Sequence, residues 1–359
     1  MKAPFQPPKL PPCIDYVPLI RSIGKAHDAI SELEGTLSNI PNPDLLTTPL
    51  LTKEAVLSSR IEGTQATVKD VFEYEASDRS EDDTLGVREV INYRVAAREG
   101  LRLLSDAPLS ENVIRAIHRI LMQDVRGHQR APGEFRRVEV YVGQKDLPDQ
   151  ARYVPPLPHV IPELMSNLMV YINSEDEQDE LVQIGIAHYQ FEAIHPFRDG
   201  NGRIGRLLIP LMLYKQKRLS YPVIYISEFL ERYKDEYHRL LHGVDEKQDW
   251  NAWLEFFLGG LTMQAHNTTI TALKILQLYD DLKNRVATIG SRYGINLLDL
   301  IFKQPIFSSA YVKSRLGAKS ETTVHQLLKE FIRLGILTEE TGQKRGRRYV
   351  FSSLINLLR

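Results

Sequence analysis

The sequence turns on twelve residues, "HPFRDGNGRIGR", from His195 to Arg206. They hold one histidine, one aspartate, three arginines and three glycines between two apolar segments. Proline disfavours helical backbone at the residue before it, so Pro196 predicts a helix end at His195. The glycines of "DGNG" let backbone N–H groups turn toward one point, and a second helix is predicted to start near Asn201. Its unpaired N–H groups and positive dipole end face that same point. Such a cradle suits an anion of the phosphate kind. Arg203 and Arg206, three residues apart, project from one side of the helix and suit phosphate oxygens. Asp199 offers a hard oxygen ligand for Mg²⁺. His195, with an ordinary pKa of about 6.5, can take a proton from an attacking hydroxyl. Taken singly, a histidine at a helix end or a Gly-Asn-Gly turn is an ordinary structural feature. Together these parts suit a phosphoryl or nucleotidyl transfer.

The rest of the chain bounds this reading. Its 359 residues exceed what one core commonly serves, so two or three domains are expected. The net charge is −1, which points to no partner. Residues 291–359 nevertheless carry 12 Lys/Arg against 5 Asp/Glu. A basic tail on an acidic body suggests nucleic acid or an acidic partner. With Cys13 as its single cysteine, the chain can hold no internal disulfide. The proline-broken start, "MKAPFQPPKLPPC", lacks a signal peptide's apolar run, and no stretch is apolar enough to cross a membrane. A cytoplasmic location is expected.

Apolar periodicity predicts amphipathic helices over 14–36, 48–62, 84–104, 109–126, 160–173 and 180–193. Further helices are expected near 201 and over 228–242, 249–264 and 266–287. Between them, "GEFRRVEVYVGQKDLPDQARYVPPLP" (133–158) alternates at Val138, Val140 and Val142 before a turn-rich stretch, which predicts a β-hairpin. From residue 291, three short helices and a strand pair predict a winged helix-turn-helix. Ser308 and Ser320 are its expected N-caps, and Gly317 and Gly335 its expected helix stops.

The stretch from His195 to Arg206 resembles the signature of the Fic family, His-Pro-Phe-x-Asp/Glu-Gly-Asn-Gly-Arg-x-x-Arg, at every defined position. The resemblance implies a mainly α fold: a Fic helical bundle with a β-hairpin flap and a C-terminal winged helix-turn-helix domain. It implies residues 1–105 as an N-terminal region, 106–288 as the catalytic domain and 291–359 as the winged helix. It further implies transfer of AMP from ATP, with Mg²⁺, to a Tyr, Thr or Ser hydroxyl of target proteins and of the chain itself. In that reading His195 is the base, Phe197 anchors the loop and Asp199 binds Mg²⁺. Gly200, Asn201 and Gly202 cradle the α- and β-phosphates, Arg203 faces the phosphates, and Arg206 holds the γ-phosphate. Doc-type kinases of the superfamily place lysine where this chain has Gly202, which favours AMP transfer over phosphorylation.

Three more segments resemble family features. The hairpin (about 135–155) resembles the flap that pairs by its backbone with the target, with Val142 and Gly143 expected at its turn. On "EFLERYKDEYHRLL" the family's adenine-pocket tyrosine falls on Tyr237, with Tyr233 one turn earlier. "SSRIEG" (58–63) resembles the inhibitory motif Ser/Thr-x-x-x-Glu-Gly/Asn, on a helix of about 48–63. That motif implies that Glu62, with Ser58 on the same face, pairs with Arg206 and keeps it from ATP. In the winged helix, Lys319, Ser320, Thr322, Thr323 and Gln326 would face a DNA groove, and Lys344, Arg345, Arg347 and Arg348 the phosphates. A dimerisation or substrate-recruitment role competes with that reading, and the family resemblance also allows a homodimer. Two alternatives remain for the chain as a whole: a hydrolase that removes AMP at the same site, or an ATP-sensing DNA-binding regulator.

Overall fold

The computed structural model describes residues 3–38, 40, 42–76, 85–143, 151–175, 177–318, 320–342 and 347–358. The fold is mainly helical. Helices α1 (Ile20–Leu37), α2 (Asp44–Ile61), α3 (Val68–Ala76) and α4 (Leu85–Asp106) form the N-terminal region. Then come α5 (Glu111–Leu121), strands β1 (Val142–Gly143) and β2 (Ala151–Tyr153), and α6 (Ile161–Asn173). At the centre, α7 (Glu180–Ile194) and α8 (Asn201–Lys215) form a hairpin of helices buried on nearly every side. Their lack of a polar face follows from their place: α4, α5, α6 and α11 surround them. Next are α9 (Ser227–Arg232), α10 (Lys234–Lys247) and α11 (Trp250–Ala287).

The C-terminal part orders as α12 (Gly294–Lys303), β3 (Ile306–Ser308), α13 (Ser309–Leu316), α14 (Glu321–Arg333), β4 (Thr338–Glu339), β5 (Arg348–Val350) and α15 (Ser352–Leu357). Its sheet is antiparallel with β5 in the middle. The Ser308 and Ser320 hydroxyls cap α13 and α14 by accepting from the N–H groups of Tyr311 and Thr322. Gly317 and Gly335 take positive φ at the helix ends. This part packs on the N-terminal region: α12 lies against α2, and β3 against α3. Lys303 pairs with Asp44 at 2.7 Å, and Lys69 with Glu340 at 3.3 Å. Arg348 lies near Glu73 and Glu340, and Arg347 pairs with Glu339 at 3.5 Å. Lys319, Lys344 and Arg345 lie outside the described residues.

Several boundaries differ from expectation. The helices expected at 249–264 and 266–287 are one continuous α11. No proline or glycine stands at the expected break, and the buried stripe runs through Leu261, Ala265, Thr268 and Ala272. The segment 228–242 is instead split, because Tyr233 leaves helical geometry at ψ 36°. The helix at 109–126 stops at Leu121, and the first α-helix begins at Ile20 rather than near 14. The hairpin is shorter than its alternation suggested. Val138 and Val140 lie outside the strand, and Val138 is exposed, so alternation alone did not make a ladder. Val142 and Gly143 pair with Tyr153 and Ala151, so they sit in a strand and not at the turn. The turn, 144–150, lies outside the described residues. Helices α3 and α15 and strand β3 had no clear periodic signal.

Candidate active site

His195 closes α7 in the left-handed region, at φ 50°, and Gly200 opens α8 at φ 78°. Between them, one side chain locks the loop. The Asn201 Oδ1 accepts from the Phe197 N–H at 2.8 Å, and its Nδ2 donates to the Phe197 carbonyl at 2.9 Å. Phe197 is fully buried and stacks on His118 at 3.7 Å between ring centroids. The His118 ring bonds at 2.9 Å to the Asp199 carbonyl and at 2.8 Å to the Gly133 N–H. Asn201→Ala would orphan two buried backbone groups, so a loss of about 2–4 kcal/mol is expected in urea unfolding. Asn201→Asp, which keeps the acceptor, should lose less.

A cavity of ≈ 430 Å³ opens beside this loop. Of the residues singled out in the sequence, Glu62, Val142, Gly143, His195, Gly202, Arg206 and Tyr237 line it. Asp199, Gly200, Asn201 and Arg203 do not. Tyr237 is buried, and its hydroxyl bonds to His188 at 2.9 Å. Tyr233 is exposed outside the cavity, so the kink after α9 separates the two tyrosines. Burial, reinforced by the Arg136 charge, pushes the His195 pKa down to about 4. The Glu192 backbone carbonyl offsets part of this fall, and a neutral imidazole offers one ring nitrogen as a proton acceptor.

Arg206 is tied to α2 by three hydrogen bonds. Its Nε donates to the Ser58 hydroxyl at 2.9 Å, and its Nη2 to the Ser58 carbonyl at 2.9 Å. Nη2 also meets the Glu62 carboxylate at 2.8 Å. Burial would raise the Glu62 pKa, but the charge and hydrogen bond of Arg206 outweigh it and hold the carboxyl below its ordinary value. Two cations hold the C-terminal end of α2. Lys234 donates to the Ile61 carbonyl at 2.9 Å, and Arg126 to the Glu62 carbonyl at 3.4 Å. Gly63, at φ 97°, turns the chain away. A Cβ at position 202 would stand 2.3 Å from the Glu62 Oε1 and 2.8 Å from the Arg206 Nη1. A side chain there would have to push the ends of Glu62 and Arg206 aside.

On the other side of the loop, Asp199 accepts from the Gly200 N–H at 2.7 Å and pairs with Arg130 at 3.2 Å. Arg203 is buried, 3.6 Å from Asp199 and 3.8 Å from Glu89. Its Nε and Nη1 have no hydrogen-bond partner among the described residues. Asp199 is a partly open carboxylate, and no cluster of three or more ligating side chains occurs among the described residues. Such a single carboxylate fits Mg²⁺, which takes one or two protein carboxylates and fills its shell with phosphate and water.

Sequence reasoning missed several contributors. Arg136 is buried and donates to the His195 carbonyl at 2.8 Å, the Pro156 carbonyl at 2.6 Å and the Val138 carbonyl at 3.1 Å. It staples both limbs of the hairpin to the signature loop. The only available signal was the Arg-Arg pair before the alternating valines. Glu192 also lines the cavity, with its pKa raised to about 7 by burial against the partial offset of Arg206. Lys234, His118 and Glu89 had no motif to mark them.

Residues 20–102 match the Fic/DOC family N-terminal region, and residues 108–213 match the Fic/DOC family. A protein adenylyltransferase Fic of Culex quinquefasciatus is 34% identical over 116 residues, 32% of this chain and 20% of the relative. A probable protein adenylyltransferase of Aquifex aeolicus is 27% identical over 173 residues, 48% of this chain and 50% of the relative. This chain thus spans half or less of the length of these curated relatives. Among solved structures, a Fic family protein from Desulfovibrio desulfuricans superposes with a TM-score of 0.62 at 21% identity, covering 95% of this chain and 98% of that one. Fic-1 from C. elegans superposes with a TM-score of 0.53 at 20% identity, covering 73% of this chain and 75% of that one.

Proposed function

This chain belongs to the Fic/DOC family, and from that premise we propose that it transfers AMP from ATP to a hydroxyl of a protein side chain, under restraint by Glu62. The observation that carries this reading is the cavity in which His195, Gly202 and Arg206 stand together beside the hairpin. Its curated relatives are named protein adenylyltransferases, which supports the same reaction class.

In this reading the target hydroxyl loses its proton to the free nitrogen of His195, and its oxygen attacks the α-phosphorus of ATP. The new O–P bond forms as the bond to the β-phosphate oxygen breaks, and pyrophosphate leaves. The backbone N–H groups at the start of α8 and the guanidinium of Arg203 stabilise charge on the phosphates. Asp199 would hold Mg²⁺, which supplies charge neutralisation to a polyphosphate. Arg206 takes the terminal phosphate once Glu62 releases it. Tyr237 borders the space left for the base, and the outer edge of the flap takes the target backbone as an added strand.

Glu62 restrains the site because one guanidinium cannot serve both partners fully. Its carboxylate already holds Nη2, and it leans over the Gly202 backbone where phosphate would approach. Two labels of ATP test the reaction class. Incubated with Glu62→Gly protein and Mg²⁺, ATP labelled at the α-phosphorus should leave label on protein, and ATP labelled at the γ-phosphorus should not. Retention of the γ label would identify a kinase instead.

A further inference from the structure

A second cavity, ≈ 670 Å³, opens at the foot of the flap between α5 and residues 133–137. Four arginines line it, Arg115 and Arg119 from α5 and Arg136 and Arg137 from the first limb of the hairpin. Glu134 is the single carboxylate in its wall. Arg115 and Arg119 are four residues apart on one helix face, where like charges repel. Arg115 lies over the Phe135 ring at 4.1 Å and reaches Glu111 only at 3.7 Å. Its Nε is buried with no hydrogen-bond partner among the described residues. Arg119 and Arg137 are exposed and form no ion pair with any described residue. Arg136 spends its N–H groups on backbone carbonyls, none of which neutralises its charge. Three of the four guanidinium groups, those of Arg119, Arg136 and Arg137, form no ion pair with a described residue, and so much positive charge around one concavity favours an anionic occupant.

We infer that this cavity docks an acidic segment of the protein whose hydroxyl the flap presents to His195. The inference rests on the proposed AMP transfer and adds a substrate class to it. Guanidinium groups take carboxylates in two-point contacts, and here they converge from two elements. The space is larger than a single phosphate needs and is floored by Phe135, Pro158 and Pro162, which suits a peptide better than a lone ion. The flap links it to the active site. Arg137 stands five residues before β1, at most roughly 17 Å away along the chain. A target strand laid along the flap would thus carry its acidic residues about five positions to one side of the modified hydroxyl.

The test uses the full chain and no nucleotide. A fluorescein-labelled peptide with six consecutive glutamates is titrated with protein at low salt, and anisotropy is read. Binding should weaken about tenfold or more in Arg119→Glu/Arg137→Glu. Both side chains are exposed, so the variant should melt as wild type does, and Arg119→Ala/Arg137→Ala should fall between. Absence of binding, or equal binding by the reversed-charge variant, overturns the inference. So does displacement of the peptide by inorganic phosphate at constant ionic strength, which would mark a simple anion hole. Tighter, charge-sensitive binding of a single-stranded oligonucleotide would assign the cavity to nucleic acid and overturn it too. Because the readout is binding, a chain that transfers no AMP leaves this result standing, and failure here leaves the transfer reaction standing.

Discussion

Glu62→Gly should raise AMP incorporation by about ten- to a hundredfold over the unmodified chain, measured as α-labelled nucleotide retained on protein. The magnitude follows from the contact that the substitution removes. A charge-assisted hydrogen bond to a buried cation is worth roughly 1.5–3 kcal/mol, which is the advantage ATP must otherwise overcome to recruit Arg206. The variant should stay folded, because Arg206 keeps both of its bonds to Ser58 and α2 keeps its buried face. Glu62→Gln separates charge from shape. It fills the same space and can still accept from Arg206, so it should release the site only in part. Equal incorporation by Glu62→Gly and the unmodified chain would show that Glu62 is no brake. A loss on Glu62→Gly, joined to wild-type removal of AMP from modified protein, would assign the hydrolytic direction.

His195→Ala in the Glu62→Gly background should lower the transfer rate by about 10²- to 10⁴-fold, the span a positioned general base supplies. Binding of ATP should change little, because the proposed reading places the phosphates on α8 and the arginines rather than on the imidazole. The pH profile carries the same information in another form. His195 works as a base only when neutral, and its pKa is pushed down to about 4. The rate of the Glu62→Gly variant should therefore stay level through pH 6.5, where an ordinary histidine is half protonated, and fall only toward pH 4. A half-maximal rate near pH 6.5 would mean that the imidazole is better solvated than its position under Glu192 and Arg136 implies.

Much of the site was legible because its residues are contiguous. From His195 to Arg206 the spacing alone placed a helix end, a tight turn and a helix start, and the backbone shows each of them. The long-range pair of Ser58 and Glu62 with Arg206 was legible only through family resemblance, since nothing local to α2 names a partner 144 residues away. The roles of Arg136 and Glu192 were not legible. Each acts by where the fold carries it, one against carbonyls of the signature loop and the other beneath Arg206. The extent of the hairpin failed for a related reason. Alternating valines describe a strand that has a partner on the other side, and among the described residues the second limb supplies only Ala151–Tyr153. Helix α11 ran on past its expected break because tertiary contacts on α1, α7 and α12 continue along it.

The carboxylate that holds Arg206 belongs to the same chain as Arg206, and this sets its concentration. A restraint supplied by a separate molecule weakens on dilution. Glu62, pinned through α2 by Lys234 and Arg126, has a local concentration that no dilution changes. The level of restraint should then be the same at nanomolar and micromolar protein, and release should follow first-order kinetics. A free peptide copying residues 44–62 would have to compete against that fixed local concentration. In the proposed reading, a movement of the end of α2 would lift the restraint without raising ATP, and the far end of that helix, at Asp44, is held by Lys303 of the C-terminal part.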